Sequence, residues 1–174
     1  MKFSKLSEYY EKLEGTSKRL ELTAILSELL KKASDEEIGK ICYLIQGRVA
    51  PFYEPTEFGM SENLVAMAIA RAFNSTKEEV IQSYRKFGNM GLAASKLASN
   101  SKFKIQNSKL SVSDVFEKLH SIAKTGGEGS VEKKLSALSD LFKSLDPISV
   151  KHVANIPLGT LRLGIGDPTV LNAL

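Results

Sequence analysis

Tryptophan is absent from this sequence of 174 residues, and cysteine and histidine are nearly absent. The single cysteine, Cys42, excludes an internal disulfide bond and is typical of a protein from a reducing compartment. The two histidines, His120 and His152, are far apart in the chain and have no cysteine beside them, so they do not form a zinc-ligand pattern. No apolar run approaches the roughly 20 residues of a membrane-spanning helix. We therefore expect no disulfide framework, no metal site and no membrane partner.

The motifs of nucleotide-dependent catalysis are also missing. The sequence contains no Gly-x-x-x-x-Gly-Lys-Ser/Thr loop and no Lys-x-Asp-Gly motif. The glycines at positions 126–129 follow a helical pattern instead of a strand, which does not fit a dinucleotide-binding fold. Acidic pairs such as Glu36-Glu37 lie at helix starts, where the helix dipole favours negative charge. We expect no catalytic residues and no cofactor site within this chain.

Helical periodicity is present along almost the whole chain, with hardly any strand alternation. Apolar residues make up 43% of the sequence, which is enough for a core, and a charged fraction of 25% with only 5 prolines argues against disorder. We predict an all-α fold, a compact bundle of about ten helices, in a single domain over residues 1–174. The last helical pattern stops at Leu174 without a capping residue, which indicates a fragment of a longer chain.

The net charge of +4 is unevenly distributed. Residues 1–87 contain 13 basic and 13 acidic residues, whereas residues 88–174 contain 11 basic and 7 acidic residues. A basic excess confined to one half indicates a basic face, which permits nucleic-acid binding without demonstrating it.

The most informative stretch is Thr125–Lys134, where three glycines lie within four residues. Glycine permits a close backbone approach, and Ser130 stands at the expected N-cap of a helix whose apolar stripe begins with Val131. A helix start presents unpaired N–H groups to an anion, and Lys133 and Lys134 add two positive charges in the first turn. We predict phosphate binding here. The alternative is an ordinary glycine-rich turn followed by a solvated lysine pair.

A similar pattern occurs near the beginning of the chain. Residues 17–25 parallel residues 130–138, which lie 113 positions later, and each segment starts at a candidate N-cap serine followed by basic residues. Two pairs of loop glycines follow in the same order: Gly47 with Gly159, and Gly59 with Gly164. We interpret this as two pseudo-repeated halves with two similar anion-binding helix starts. The spaced phosphates of a nucleic-acid backbone are the natural ligand of such a pair.

Seven short motifs extend over nearly the whole chain: residues 16–23 (TSKRLELT), 46–51 (QGRVAP), 57–60 (EFGM), 87–91 (FGNMG), 110–115 (LSVSDV), 127–134 (GEGSVEKK) and 159–165 (GTLRLGI). In this order they resemble the N-terminal DNA-binding domain of ATP-dependent DNA ligases of the archaeal and eukaryotic replicative type.

The resemblance implies an all-helical domain that grips the minor groove on both sides of a nick in double-stranded DNA, without regard to sequence. It also implies that a nucleotidyltransferase domain and an OB-fold domain follow in the same chain and seal the nick with ATP and Mg²⁺. Replication, repair and recombination in the cytoplasm of a prokaryote, at the nucleoid, would be the setting.

Three places depart from the family pattern. The family often has Gly-Asp-Leu-Gly where this chain has residues 88–91, and it usually has an arginine where Asn155 stands. Archaeal relatives can carry a sliding-clamp-binding motif with paired aromatic residues before Leu110. Here Lys102–Gln106 contains only one aromatic residue, so clamp binding is an open expectation.

The two helix starts and the resemblance together give ten candidate DNA-binding residues: Gly129, Ser130, Lys133, Lys134, Arg162, Gly164, Arg48, Ser17, Lys18 and Arg19. For Arg48 a structural role is an equal alternative, because an arginine in a packed loop can bind backbone carbonyl groups. For the whole chain, the alternative is a helical protein–protein adaptor without DNA affinity. That alternative predicts a large exposed apolar patch.

Overall fold

A computed structural model describes residues 1–51, 53–54, 56–102, 104–161 and 163–174. Within these ranges the chain forms ten α-helices and no β-strand, which confirms the all-α prediction. None of these helices is long and apolar enough to cross a membrane. The helices are α1 (Phe3–Glu14), α2 (Arg19–Lys32), α3 (Asp35–Leu44), α4 (Glu62–Ala72), α5 (Lys77–Phe87), α6 (Met90–Ser99), α7 (Val112–Lys124), α8 (Ser130–Lys143), α9 (Pro147–Asn155) and α10 (Asp167–Ala173).

Five of the helices begin at a side chain that caps them. In each case a side-chain oxygen accepts a hydrogen bond from the backbone N–H three residues later, which satisfies one of the free donors at the helix start. The capping residues are Ser61, Thr76, Asn89, Ser111 and Asp146. Gly88 ends α5 in the left-handed conformation, with φ 67°.

The two helix starts singled out in the sequence differ from the prediction. Ser130 is the first helical residue of α8, and its N-cap is Gly129, whose φ of 74° turns the chain into the helix without a side-chain cap. Ser17 does not cap α2, which begins one residue after Lys18. The hydroxyl of Thr16 accepts the backbone N–H of Lys18 at 3.1 Å, so the threonine holds this turn in place of the serine.

The helices form two similar halves, and helices of each half pack against helices of the other half. Helices α1–α4 of the first half correspond in order to α7–α10 of the second half. Helix α2 packs against α10, and its counterpart α8 packs against α4. In the same way α1 packs against α9, and its counterpart α7 packs against α3. The segments before α1 and α7 pair as well: Phe3 N–H donates to the Leu110 carbonyl at 2.9 Å, and Val112 N–H donates to the Met1 carbonyl at 2.9 Å. This reciprocal arrangement supports the duplication inferred from the sequence.

Helices α5 and α6 are inserted between the halves, and α6 lies very close to α9. A Cβ atom on Gly91 would lie 2.1 Å from the carbonyl oxygen of Lys151. The buried Asn155 fixes this contact, because its carbonyl oxygen accepts the Gly91 N–H at 3.1 Å and its amide donates to the Asn89 side chain at 3.1 Å. At the position where the resemblance calls for arginine, the chain thus has an amide that serves packing.

A partly buried ionic network joins α1 to α9. The Lys151 ammonium donates to the carboxylates of Glu11 at 3.0 Å and of Glu14 at 2.9 Å. His152 beside it is fully buried, and among the described residues neither of its ring nitrogens has a hydrogen-bond partner. Burial lowers the pKa of His152 to about 4, because the nearby Glu11 carboxylate offsets only part of the cost of charging the ring there.

We expect Gly91→Ala to lower the free energy of unfolding by about 3 kcal/mol, because the added methyl group would overlap the Lys151 carbonyl. Gly39→Ala is the matched control: its Cβ, in the middle of α3, meets no neighbour within 4 Å among the described residues. That variant should be stabilised by about 0.5 to 1 kcal/mol through reduced chain entropy in the unfolded state. Urea denaturation of both variants measures the difference, and similar effects would contradict the close α6–α9 approach.

We also expect the protein to lose stability in mild acid. Because the pKa of His152 is about 4 in the folded chain against an ordinary 6.5, the unfolded chain binds more protons between these values. The free energy of unfolding should therefore fall by roughly 2 to 3 kcal/mol between neutral pH and a pH of about 4.5. His152→Phe removes the titrating ring at similar volume and should flatten the profile in this window. A wild-type pH dependence in that variant would contradict the assignment to His152.

Candidate nucleic-acid interface

The start of α2 and the loop before α10 form one exposed surface. Ser17, Lys18 and Arg19 are all exposed, and a cleft of about 500 Å³ beside them is lined by Thr16 and Ser17 on one side and by Gly164 on the other. We call residues 16–20, together with Leu163 and Gly164, the first basic surface. It contains four of the candidate residues.

The start of α8 and the loop before α4 form a second surface of the same kind. Lys133 is exposed, whereas Lys134 is half-buried and its ammonium donates to the carbonyl of Phe58 at 2.6 Å. The same ammonium lies beside Gly59. We call residues 129–134, together with Phe58 and Gly59, the second basic surface. Lys134 therefore has a structural role here, which neither the predicted phosphate contact nor the alternative of a solvated lysine pair included.

Each basic surface combines a helix start from one half with a glycine loop from the other half. The loop glycines match in conformation, since Gly59 has φ 61° and Gly164 has φ 68°, a region that side chains other than glycine rarely adopt. This pairing follows directly from the exchange of α4 and α10 between the halves. The structure thus brings together Ser17, Lys18, Arg19 and Gly164 in one place, and Gly129, Ser130, Lys133 and Lys134 in another.

The electrostatics of the second surface differ from the sequence prediction. Because α8 begins at Ser130, Lys133 and Lys134 are its fourth and fifth residues, and the acidic residue that the helix dipole favours in the first turn is Glu132. The Arg71 guanidinium of α4 donates to Glu132 at 2.8 Å, and this hydrogen bond lowers the pKa of the Glu132 carboxyl. The acid is thereby paired with α4, while Lys133 has no ion-pair partner among the described residues.

On the first surface, Arg19 likewise has no ion-pair partner in the part of the chain that the structure describes. Lys18 lies 3.6 Å from the Glu21 carboxylate, but both side chains are largely exposed, so this ion pair is weak. The backbone adds further positive potential, because a helix start leaves N–H groups without intrahelical partners. Each surface therefore offers exposed cations next to the N-terminus of a helix, which is an arrangement suited to phosphate groups.

Arg48 is held differently from the other candidates. Only 16% of its side chain is exposed, and its guanidinium donates to Gln46 at 2.7 Å and to Asp167 at 3.2 Å. It also lies over the ring of Tyr43. These contacts favour the structural role that the sequence left open. Arg162, the remaining candidate, lies outside the described residues.

Sequence reasoning missed two features of these surfaces. The Arg71–Glu132 ion pair joins residues that are far apart in the chain, and nothing in the local pattern indicates it. Val131, which the periodicity assigned to the apolar stripe of α8, is 61% exposed. Because the helix begins at Ser130, Val131 stands at its second position, ahead of the buried stripe that starts at Leu135.

One group of side chains has the composition of a metal site. Potential ligand atoms of Glu11, Glu14 and His152 lie within 4.8 Å of one another. The Lys151 ammonium already binds both carboxylates, so the geometry is that of an ion-pair network in which the lysine stands where a metal ion would bind.

Comparison with known proteins identifies a family and several relatives that match this chain over its length. A family model described as the DNA ligase N terminus matches residues 2–174. The chain is 43% identical over 174 residues to a probable DNA ligase of Dictyoglomus thermophilum, covering all of this chain and 29% of the relative. It is 37% identical over 183 alignment positions to a DNA ligase of Sulfolobus acidocaldarius, covering all of this chain and 31% of that protein.

The chain thus spans about three-tenths of the length of these relatives. The family match extends over both halves and therefore over both basic surfaces. On this match, the chain belongs to the DNA ligase N-terminus family.

Proposed function

We propose that this chain is the duplex-DNA-binding module of an ATP-dependent DNA ligase and grips the minor groove and phosphate backbone on both sides of a nick. The observation that carries the proposal is the pair of pseudo-equivalent basic surfaces, each made of a helix start and a left-handed glycine loop. Two such surfaces on one helical bundle suit two backbone segments of a single duplex.

Each surface would bind phosphates by the same means. On the first, Lys18 and Arg19 supply positive charge beside Ser17 and Gly164; on the second, Lys133 supplies charge beside the exposed Gly129. At Gly129 and Gly164 the backbone is open to a close approach, because among the described residues no atom lies within 4 Å of where a Cβ would stand. Arg162 belongs to this proposal on sequence grounds alone.

Such binding would be indifferent to base sequence. Phosphate and sugar contacts fix the position of a protein on the duplex but carry no sequence information. An enzyme that seals nicks wherever they occur needs this property. The net charge of +4 is modest, which agrees with a limited number of phosphate contacts.

The chemistry would belong to the rest of the protein. We propose that a nucleotidyltransferase domain and an OB-fold domain of the same chain join a 3′-hydroxyl to a 5′-phosphate with ATP and Mg²⁺, in replication, repair and recombination. The setting would be the cytoplasm of a prokaryote, at the nucleoid. The described residues would supply affinity and DNA geometry.

A sliding clamp is a further proposed partner. The segment Lys102–Gln106 stands where archaeal relatives can carry a clamp-binding motif, but its single aromatic residue, Phe103, lies outside the described residues. Clamp binding stays a prediction from the resemblance.

The test is binding of the 174-residue chain to nicked and intact duplexes of several sequences across a salt series. The logarithm of the affinity should fall linearly with the logarithm of the salt concentration, by about 0.9 per phosphate neutralised. Lys133→Ala and Arg19→Ala should each weaken binding to every sequence and reduce this slope by about 1. Lys134→Ala should also lower the melting temperature, because it loses the bond to the Phe58 carbonyl.

Lys31→Ala is the matched control, because Lys31 is an exposed lysine at the opposite end of α2, about 18 Å from Arg19 along the helix axis. It should leave the affinity and the slope nearly unchanged. A folded chain that does not bind DNA even at low salt would contradict the proposal and favour the adaptor alternative.

A further inference from the structure

The segment between the two halves accounts for the positive net charge of the chain. Residues 80–111, which include most of α5, all of α6 and the loop that follows, contain six basic residues and no acidic residue. The rest of the chain contains 18 basic and 20 acidic residues, so its net charge is −2. The excess of positive charge therefore lies outside the two similar halves.

Three of these six cations lie at the corner between α5 and α6. Arg85 and Lys86 are exposed in the last turn of α5, and Lys96 is exposed on α6. The ammonium groups of Lys86 and Lys96 lie 5.8 Å and 4.9 Å from the centre of the same ring, that of Phe87. The face of an aromatic ring attracts cations, so this ring holds the two lysines together. We call Arg85, Lys86, Phe87 and Lys96 the corner cluster.

The helix dipole explains only part of this arrangement. A helix C-terminus favours basic residues, so Arg85 and Lys86 match the dipole of α5. The dipole does not bring Lys96, from a second helix, to the same ring. Among the described residues none of the three cations has an ion-pair partner within 4 Å. Their charge is therefore available to a ligand.

Two acidic side chains lie in the neighbourhood of the corner cluster, and each has a partner of its own. Glu79 lines the same groove as Lys86, about 10 Å from it along the axis of α5, and accepts a hydrogen bond from the Ser75 hydroxyl. Glu62 accepts a hydrogen bond from the Tyr84 hydroxyl at 2.9 Å. The three cations therefore outnumber the acids around them.

An exposed face of α6 connects the corner cluster with the first basic surface. Asn89 and Leu92 line the cleft of about 500 Å³ that Ser17 and Gly164 also line. Leu92 and Lys96 are both exposed and are four residues apart on α6, so they lie on one face, about 6 Å apart along the helix axis. Phosphates of one DNA strand follow one another about every 3.4 Å along the duplex axis. A strand that reaches the cleft therefore has further phosphates within reach of the corner cluster.

We propose that the corner cluster binds the phosphate backbone of the same duplex beside the first basic surface, so that the contact with DNA extends farther on one side of the nick than on the other. The proposal rests on the proposed function and adds a site to it. A polyanion fits this cluster better than a protein partner does, because protein-binding patches have few charges at their core. The asymmetry follows because none of the described helices repeats α5 and α6 in the second half.

The experiment removes both lysines of the corner cluster from the 174-residue chain. Lys86→Ala/Lys96→Ala should reduce the slope of log affinity against log salt by about 2, because each lysine would neutralise one phosphate. Binding to nicked duplex at a salt concentration of about 0.1 M should weaken by roughly 30- to 100-fold for the same reason. Both side chains are exposed, so the melting temperature should stay close to that of the unmodified chain and confirm folding.

Lys31→Ala/Lys143→Ala is the matched control, because it removes the same charge. Lys31 and Lys143 are exposed in the last turns of α2 and α8, and neither has an ion-pair partner within 4 Å among the described residues. Each lies at the end of its helix away from the basic surfaces. This variant should keep the affinity and the salt slope nearly unchanged.

A second measurement tests the asymmetry of the contact. Two series of nicked duplexes are used, and each series shortens the arm on only one side of the nick. In the unmodified chain, shortening the arm that the corner cluster contacts should lower both the affinity and the salt slope. Lys86→Ala/Lys96→Ala should be insensitive to this shortening, yet as sensitive as the unmodified chain to shortening of the other arm. Equal responses of the two chains in both series would contradict the proposal.

The outcomes separate the two proposals. If the unmodified chain binds DNA with the expected salt dependence but Lys86→Ala/Lys96→Ala keeps its affinity and slope, the corner cluster is not a DNA site and the binding function stands. An equal loss in Lys31→Ala/Lys143→Ala would also overturn the inference, because total charge alone would then explain the effect. Absence of any DNA binding by the unmodified chain would instead overturn the proposed function.

Discussion

The reciprocal packing of two similar halves is the constraint on which the rest of this structure depends. Helix α2 buries its apolar face against α10 of the other half, and α8 does the same against α4. Neither half can therefore bury its core alone. The helix that covers α2 is α10 of the other half, and the helix that covers α8 is α4 of the other half. Gly59 lies in the loop before α4, and Gly164 lies in the loop before α10. Because α4 and α10 each pack against a helix of the other half, both basic surfaces form only when the halves have packed.

Each half contributes a lysine that forms an ion pair across the contact between the halves, and the two ion pairs differ in burial for a physical reason. Lys40 of α3 binds Glu117 of α7 at 3.1 Å, as Lys151 of α9 binds Glu11 of α1 at 3.0 Å. The second pair is more deeply buried, because α6 covers α9 through the close contact at Gly91, whereas among the described helices none packs over α3 in this way. The half that α5 and α6 cover thus contains the more deeply buried ionic network, while the packing between the halves that builds the surfaces is the same on both sides.

Local sequence signals predicted the helices well, but they did not predict the contacts between helices that build the two basic surfaces. The pairing of Ser111 with Asp114 and the glycine after α5 act within one turn, so they could be predicted from spacing alone. The serines at 17 and 130 gave the same signal but do not cap, because a neighbouring threonine and a left-handed glycine hold those turns. The ion pair of Arg71 with Glu132 and the bond from Lys134 to the Phe58 carbonyl depend on which helices meet, which no local pattern specifies.

An approximate two-fold arrangement is well matched to a nicked duplex under the proposed function. The antiparallel strands of DNA relate its two backbones by two-fold axes, so two equivalent protein surfaces can meet equivalent phosphates. A nick breaks this symmetry, because a 3′-hydroxyl lies on one side and a 5′-phosphate on the other. The chain is asymmetric too. The connection between α3 and α4 is longer than that between α9 and α10. The Lys134 ammonium of the second basic surface binds the Phe58 carbonyl, whereas Lys18 and Arg19 of the first basic surface are exposed. Under the proposed function, near-equivalence would provide affinity for the backbone of any sequence, and the difference between the halves would give the module a preferred orientation on the nick.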